Sequence, residues 1–400
     1  MEKKWKGISL FAGAGGCSLG FSQAGVEIIA AFENNHAALA TYNTNFGSEK
    51  CHNVDLSVCD FSKIRDSLNL KRGELDIIIG GPPCQGFTSA GTRFWDDPRN
   101  KLVRNYVQAL DSFYPRWFMM ENVEGILTTA KGQYVVETIK KMVELGYTVY
   151  LKKVYMQEYG IPQRRKRVII VGNREGKEFI FPVEKELASG AIYKNTSVTL
   201  RDAIGDLESN DKPDIDHVVL QESDIQLKRI EALKVGQSMK DLPENLQNDS
   251  FRRRSHRRVC DGTPSERRGG PPSGLKRLSY DEPCLTITSA AISEFIHPVL
   301  NRTLTIRECA RVQTFPDEFC FCGTTAQKIQ QIGNAIPPLF ANQLAKQIMC
   351  CDENRANEKP AVLALVDVTK SSAKSPALSR TCDMLEMLMT HKYEQLSMGV

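Results

Sequence analysis

Cys84 follows two prolines in Gly81-Pro82-Pro83-Cys84-Gln85-Gly86-Phe87, directly after the apolar run Asp76–Gly80. Prolines restrict the backbone and glycines permit tight turns, so this thiol is held on a stiff loop at the edge of a sheet. A structural cysteine rarely needs such a frame. A nucleophile does, and a thiol of ordinary pKa, about 8.5, is already partly ionised near neutrality. Glu121, in Glu121-Asn122-Val123, ends the apolar run Trp117-Phe118-Met119-Met120, where a carboxyl among apolar neighbours suits general acid work. Taken alone it reads as a capping or ion-paired glutamate; the presence of Cys84 raises it above that. The cluster Gln163-Arg164-Arg165-Lys166-Arg167 runs into Val168-Ile169-Ile170-Val171, so its base is anchored in a sheet while its guanidinium groups suit phosphate and carbonyl contacts.

A second set of residues suits a nucleoside-containing cofactor. Ile8–Phe11 runs into Ala12-Gly13-Ala14-Gly15-Gly16, a turn that lets backbone approach a ligand at a helix N-terminus. Glu33 follows the next strand, where an acidic side chain typically accepts both ribose hydroxyls. A nicotinamide oxidoreductase would also fit a sheet with Glu33, but the turn is not GxGxxG, which counts against it.

These residues need a sheet to present them. From Lys6 to Val171 short β-rich runs alternate with amphipathic stretches, the pattern of a mainly parallel sheet covered by helices on both faces. Strands are expected at Ile8–Phe11, Glu27–Phe32, Asp76–Gly80, Trp117–Glu121, Thr148–Val154 and Arg167–Val171, with helices at Cys17–Ala24, His36–Asn45, Lys101–Ser112 and Tyr134–Leu145. In such sheets the ligand sits beyond the carboxyl ends of the strands, where the candidate residues fall. After about Pro182 the alternation stops and the chain turns polar, basic and rich in Gly, Pro and Ser. Arg252, Arg253, Arg254, Arg257, Arg258, Arg267 and Arg268 crowd together there, which points to a nucleic-acid partner more strongly than the net charge of +4. Regular patterning resumes at Leu304–Gln313 and Pro338–Met349, where a helix could pack back onto the first sheet. Beyond Cys351 the Lys/Ser-rich tail reads as flexible, with a possible short helix over Thr381–Tyr393.

Composition agrees with this division. A chain of 400 residues, 41% of them apolar, supports one substantial core and a smaller second domain. No apolar run of about eighteen residues appears, and Met1-Glu2-Lys3-Lys4 leads into a strand rather than a signal peptide, so a soluble intracellular protein is expected. The twelve cysteines lack a regular framework and are expected to be reduced. Cys320-Phe321-Cys322 and Cys350-Cys351 lack the CxxC pairs and nearby histidines of zinc sites, and no metal is expected.

The motifs, taken in order, resemble the bacterial DNA cytosine C5-methyltransferase family over about 350 residues. They are the Phe-x-Gly-x-Gly-Gly turn, Pro-Pro-Cys-Gln, Glu-Asn-Val, Gln-x-Arg-x-Arg and Gly333-Asn334-Ala335-Ile336-Pro337-Pro338; Arg277–Thr288 and Leu304–Arg311 match late motifs as well. The resemblance implies an α/β fold, a Rossmann-like S-adenosylmethionine-dependent methyltransferase sheet with helices on both faces plus a smaller target-recognition domain. It divides the chain into a catalytic and cofactor-binding domain (1–183), a target-recognition domain including the hinge-side motif 277–288 (184–302), a return to the catalytic domain (303–350) and a flexible tail (351–400).

The same resemblance assigns roles. Phe11, Gly13, Gly15 and Gly16 pack against S-adenosyl-L-methionine, Glu33 holds its ribose, and Leu56, Pro83, Leu102, Asn334 and Ala335 help line its site. An aspartate after the third strand meets the adenine amino group. Asp55 and Asp60 compete for this, and Asp55 is preferred because the family often carries a second aspartate five residues on. Ser9 stands where many relatives have Asp. Cys84 is the nucleophile toward a flipped cytosine, and Glu121 bonds its N3 and amine. Arg167 takes the carbonyl O2, Arg165 the neighbouring backbone and Glu121, and Gln85 contacts DNA. The expected partner is double-stranded DNA, with a cognate restriction endonuclease that shares the target sequence without needing to bind. A monomer in a bacterial cytoplasm, with no membrane contact, completes the expectation. A tRNA cytosine methyltransferase of the same fold shares the Pro-Pro-Cys chemistry, and a catalytically silent DNA-binding relative would lack a reason to keep both Cys84 and Glu121.

Overall fold

The computed structural model of the chain describes residues 4–83, 101–182, 198–208, 212–249, 251–252, 274–353, 362–366, 368 and 376–397. Cys84, Gln85, Arg253, Arg254, Arg257, Arg258, Arg267 and Arg268 lie outside the described residues. The chain forms two compact units, the first from Met1–Tyr159, Lys166–Ala191 and Ala335–Val400, the second from Gly160–Arg165 and Ile192–Asn334.

The first unit is built on eight strands: β1 (Lys6–Leu10), β2 (Glu27–Glu33), β3 (Cys51–Asn53), β4 (Ile77–Gly80), β5 (Trp117–Val123), β6 (Thr148–Tyr155), β7 (Lys166–Asn173) and β8 (Leu363–Val366). Their order is β8-β6-β7-β5-β4-β1-β2-β3. All neighbours are parallel except β7, which runs antiparallel to both β5 and β6. The expected mainly parallel sheet is therefore observed, with one reversal. Residues 156–165 are too short a link for the helical crossover that a parallel neighbour needs. Ile77, Ile78 and Ile79 are all fully buried, which explains why the central strands read as continuous apolar runs rather than alternating ones.

Helices α1 (Gly16–Gln23), α2 (His36–Phe46), α3 (Phe61–Ser67), α4 (Lys101–Phe113), α5 (Gln133–Glu144), α6 (Pro338–Glu353) and α7 (Pro376–Ser397) complete this unit. Val103, Tyr106, Val107, Leu110 and Phe113 form the apolar stripe of α4, and Tyr134, Val135, Thr138, Ile139, Met142 and Val143 that of α5. As the patterning of Pro338–Met349 implied, α6 packs back, and it does so against α1. Gly20 makes that approach possible, since a Cβ there would overlap the Pro338 carbonyl and Ala341. At its other end α6 supplies Asp352, which accepts from Trp117 Nε1 at 2.7 Å and pairs with Arg116 at 3.0 Å, tying the helix to the start of β5.

Three expectations need correction. A third strand before Asp55 is implied by the resemblance but carries no bounds in the sequence, and helix α3 is not anticipated: three residues with one buried side chain give little periodicity to read. The tail beyond Cys351 is not simply flexible. Its strand β8 pairs in parallel with β6, and Leu378, Cys382 and Leu385 of α7 enter the main core. The return to the first unit begins at Ala335 rather than at residue 303. The helix Ile306–Val312 instead belongs to the second unit, where the Arg307 guanidinium donates to the carbonyls of Ile215, Pro316 and Phe319.

The second unit has its own apolar core of Ile230, Leu233, Met239, Leu242, Phe251, Leu275 and Ile296. Two short parallel pairs, Gln163–Arg164 with Cys284–Leu285 and Lys276–Arg277 with Phe295–Ile296, replace a large sheet. Arg277 is buried and donates to the carbonyls of Ile230, Leu233, His297 and Leu300 and to Asn301 Oδ1, so its charge is fully solvated by the chain. Beside it His297 is fully buried, 3.0 Å from the Tyr280 hydroxyl and 3.8 Å from Glu308, whose carboxylate is held by Arg302 at 2.7 Å. Burial pushes the His297 imidazole down to about 4, the nearby Glu308 only partly opposing this.

Above about pH 6.5 neither the folded nor the unfolded imidazole carries a proton, and no penalty arises. Between about 6.5 and 4 the unfolded chain takes the proton first, so folding weakens as pH falls, by roughly 3 kcal/mol in all. Unfolding midpoints across this window should therefore drop more steeply for the native chain than for His297→Asn. Equal slopes would show that His297 does not govern the acid sensitivity.

Candidate active site

The strand order reverses direction between β1 and β4, and the loops following those two strands flank this switch point. After β1, Phe11 is left-handed (φ 53°), then Gly13 (φ 54°) and Gly15 (φ 96°) turn the chain into α1. At Gly15 a Cβ would strike the rings of Tyr42 and Phe46, whereas at Gly13 nothing lies within 4 Å of that position. The turn thus packs on one side and leaves open space on the other. Glu33, at the end of β2, accepts from the Gly13 amide through Oε2 at 2.8 Å, and its Oε1 accepts from Asn34 and Asn35 at 3.0 and 2.9 Å. The carboxylate is therefore fixed against the glycine turn.

Asp60 caps α3, accepting from the amides of Ser62 and Lys63. Asp55 is exposed, and hydrogen bonds from Ser57 hold its carboxyl below the usual carboxylate range. Both aspartates are exposed and both accept amide hydrogen bonds from residues just after them, Asp55 from Ser57 and Asp60 from Ser62 and Lys63. Asn105 of α4 donates to the carbonyl of buried Leu56, which fixes this turn against the helix that carries half-buried Leu102.

Beyond β4 and β5 the second cluster assembles. Glu121 is nearly buried, and its Oε1 lies 2.7 Å from Arg167 Nε on β7. A Cβ on Gly81 would come within 3.0 Å of Glu121 Oε2, so the backbone after β4 runs directly past this carboxylate. Asn122 Nδ2 donates to the Pro82 carbonyl at 3.0 Å, and Asn122 Oδ1 accepts from the Val123 amide at 2.9 Å. Pro82 is buried and Pro83 exposed. The loop that leads to Cys84 is thereby bonded to the strand that carries Glu121. Tyr106 of α4 braces the two strands by donating to the Met119 carbonyl at 2.8 Å.

Cys17, at the start of α1, is also buried here, but burial pushes its thiol far up and the charge of Glu121 adds to this. It is the wrong cysteine for nucleophilic work.

The resemblance assigns Arg167 to the carbonyl O2 and Arg165 to the neighbouring backbone and Glu121. In the structure Arg167 itself pairs with Glu121. The fully buried Arg165 donates to the carbonyls of Gly333 and Ile287 within the second unit, at 2.8 and 3.3 Å. The alternation of side chains explains the first part: Arg167 and Val123 are register partners on adjacent strands, so Arg167 and Glu121 share a face. Asn334 is exposed at the end of the second unit, and half-buried Ala335 opens the returning segment of the first. Arg252 is exposed and paired with Asp249. Sequence reasoning passed over Asn122, Asn105 and Tyr106. Only Asn122 carried a signal, its place between Glu121 and Val123.

The C-5 cytosine-specific DNA methylase family model matches residues 5–350. The chain belongs to that family. The methylase is 32% identical over 354 residues to the Type II methyltransferase M1.HphI of Haemophilus parahaemolyticus, covering 87% of each chain. It is 34% identical over 386 residues to the Type II methyltransferase M.DdeI of Desulfomicrobium norvegicum, covering 87% of this chain and 89% of that one. Among solved structures, an E. coli prophage protein described as a DNA modification methyltransferase superposes with a TM-score of 0.67 at 23% identity, covering 88% of this chain and 100% of that one. The S. pombe Dnmt2 methyltransferase gives 0.54 at 16% identity, with 88% and 100% coverage. At those identities the likeness is one of fold. The methyl donor of the methylase is S-adenosylmethionine. Its residues fit such a group: open space beside Gly13, the Glu33 carboxylate next to it, and the anionic Asp55 beyond β3. Among the described residues no helix is long and apolar enough to cross a membrane.

Proposed function

We propose that this methylase modifies C5 of a cytosine flipped out of a short, specific duplex sequence, through a transient bond between Cys84 and C6 of the ring. One observation carries this reading. The Asn122–Pro82 hydrogen bond and the approach of Gly81 to Glu121 join the segment that leads to Cys84 to the strand that presents Glu121 and its partner Arg167.

Addition of the Cys84 sulfur to C6 breaks the aromaticity of the ring and leaves C5 enamine-like and nucleophilic. Glu121, bonding N3 and the exocyclic amine, stabilises the charge that develops during that addition. Arg167 holds Glu121 in place, and its remaining guanidinium hydrogens suit the carbonyl O2. S-adenosylmethionine supplies an electrophilic methyl. Once C5 bears the methyl, loss of its proton and rupture of the sulfur–C6 bond restore the base and the free thiolate. Glu33 binds the ribose hydroxyls, Asp55 the adenine amine, and Phe11, Gly13, Gly15, Gly16, Leu56, Pro83, Leu102, Asn334 and Ala335 shape the remainder of the donor site.

A base inside a stacked duplex is out of reach of such a thiol, so the target is extruded at a cost of a few kcal/mol, as is general for methyltransferases acting on bases. The second unit is the target-recognition domain in this reading. Its basic segment, with Arg252, Arg253, Arg254, Arg257, Arg258, Arg267 and Arg268, holds phosphates and reads guanine edges, and Gln85 contacts DNA beside the nucleophile. In this reading the enzyme is monomeric and cytoplasmic, and similarity to Type II methyltransferases supports a role in protecting host DNA from an endonuclease of the same specificity.

Plasmid DNA incubated with the enzyme and S-adenosylmethionine should show protected cytosines at one recurring short sequence by bisulfite sequencing. Transfer to tRNA without transfer to DNA would overturn the substrate assignment. Arg254→Ala and Arg268→Ala should weaken DNA binding while leaving donor affinity nearly unchanged, and equal loss of both would contradict a separate reading domain.

A further inference from the structure

The family model ends at residue 350, before β8 and α7. Its strand pairs with β6, and its helix touches the segment that follows the Glu121 strand. Leu378, Thr381, Cys382 and Leu385 lie on one helical face and are all buried, the apolar members sharing a core with Ile126, Leu127, Tyr134 and Val135. Helix α7 packs on α5 and on the 3-10 turn Thr129–Gly132.

That turn does not hold its own shape. Ala130, Lys131 and Gly132 are three successive left-handed residues (φ 52°, 56° and 88°), a conformation that L side chains adopt only at a cost and that persists where the surroundings impose it. Thr381 imposes it in two ways. Its hydroxyl donates to the Leu127 carbonyl at 2.7 Å, and its side chain fills the space that a Cβ on Gly132 would occupy. At the near end of the same segment, Glu124 pairs with Lys153, whose side chain is fully buried. The stretch 124–132 is thus fastened at both ends, and it begins directly after Glu121-Asn122-Val123.

We propose that α7 is a brace added to the family domain, and that Thr381 is a positioning residue which, through the Leu127 carbonyl and the turns 124–132, fixes the strand end carrying Glu121. The inference rests on the reading of Glu121 as the acid. Thr381 is remote from the reacting atoms, so it acts on the rate of the chemical step and not on donor binding.

The test uses the full chain with Thr381→Val, which keeps the volume and removes the donor, and Thr381→Ser, which restores it. Single-turnover methyl transfer should slow about tenfold or more in Thr381→Val with KM for S-adenosylmethionine within about twofold, because small displacements of a catalytic group are costly; Thr381→Ser should stay within about twofold of the native rate. In a Glu121→Gln background Thr381→Val should slow the residual rate by less than about twofold, since the group it positions is already gone. A native rate in folded Thr381→Val, or a loss fully additive with Glu121→Gln, would reduce α7 to a stabilising appendage. If Thr381→Val is not recovered folded, Thr381→Ala is read against the same two outcomes. A fully active Glu121→Gln enzyme would overturn the acid assignment separately, whatever the Thr381 variants do.

Discussion

Cys84→Ser should bind S-adenosylmethionine and DNA as the native enzyme does and transfer methyl at least about 10⁴-fold more slowly, the usual scale when a nucleophile is removed. A serine hydroxyl is hardly ionised near neutrality and has no base on this loop assigned to take its proton, so addition to C6 fails. The residues that hold the loop stay in place, because the Asn122–Pro82 bond involves backbone and not the thiol. Nor can another thiol substitute: burial and Glu121 keep Cys17 protonated. Duplex carrying 5-fluorocytosine has no proton to lose at C5, so the native enzyme should accumulate a denaturation-resistant complex with it in the presence of donor, and Cys84→Ser should form none. Turnover by Cys84→Ser at the native rate would rule out the covalent route.

The second large effect belongs to Glu121. Glu121→Gln preserves size and leaves Arg167 an amide oxygen to bond, so the strand end should keep its shape. It removes the titratable carboxyl, and the rate of methyl transfer should fall about 10²- to 10⁴-fold, the range associated with general acid–base groups. Donor affinity should scarcely change, because Glu33, the glycine turn and Asp55 are untouched. A rise in KM for S-adenosylmethionine with an unaltered rate constant would move Glu121 from the chemistry to the donor site.

Much of this arrangement was legible in the sequence because chemistry and periodicity coincide there. Trp117-Phe118-Met119-Met120 is apolar throughout since β5 is covered on both faces, and a carboxyl ending such a run is conspicuous. Pro82-Pro83 signals a stiff loop by itself. Three features were hidden. Strand β3 is too short to show a period, and its neighbour α3 is announced mainly by the Asp60 cap, which competed with a functional reading of the same residue. The run Leu363-Ala364-Leu365-Val366 is a credible strand, but Lys/Ser-rich flanks made it look like part of a tail; its burial comes from β6, more than two hundred residues earlier in the chain. The pairing of Arg167 with Glu121 could not be read either. Motif spacing says which arginines matter, but Arg165 and Arg167 have the same parity, and only Arg167 lies within β7, opposite Val123 and on the face of Glu121.

The first unit is interrupted by about 150 residues of the second, and this has a bearing on its biosynthesis. At a translation speed of ~10 residues per second, a ribosome spends roughly 15 s on the intervening stretch before α6 and β8 begin to emerge. Throughout that pause the nascent polypeptide exposes the outer edge of β6 and the side of α1 that α6 later covers, surfaces that invite self-association or chaperone capture.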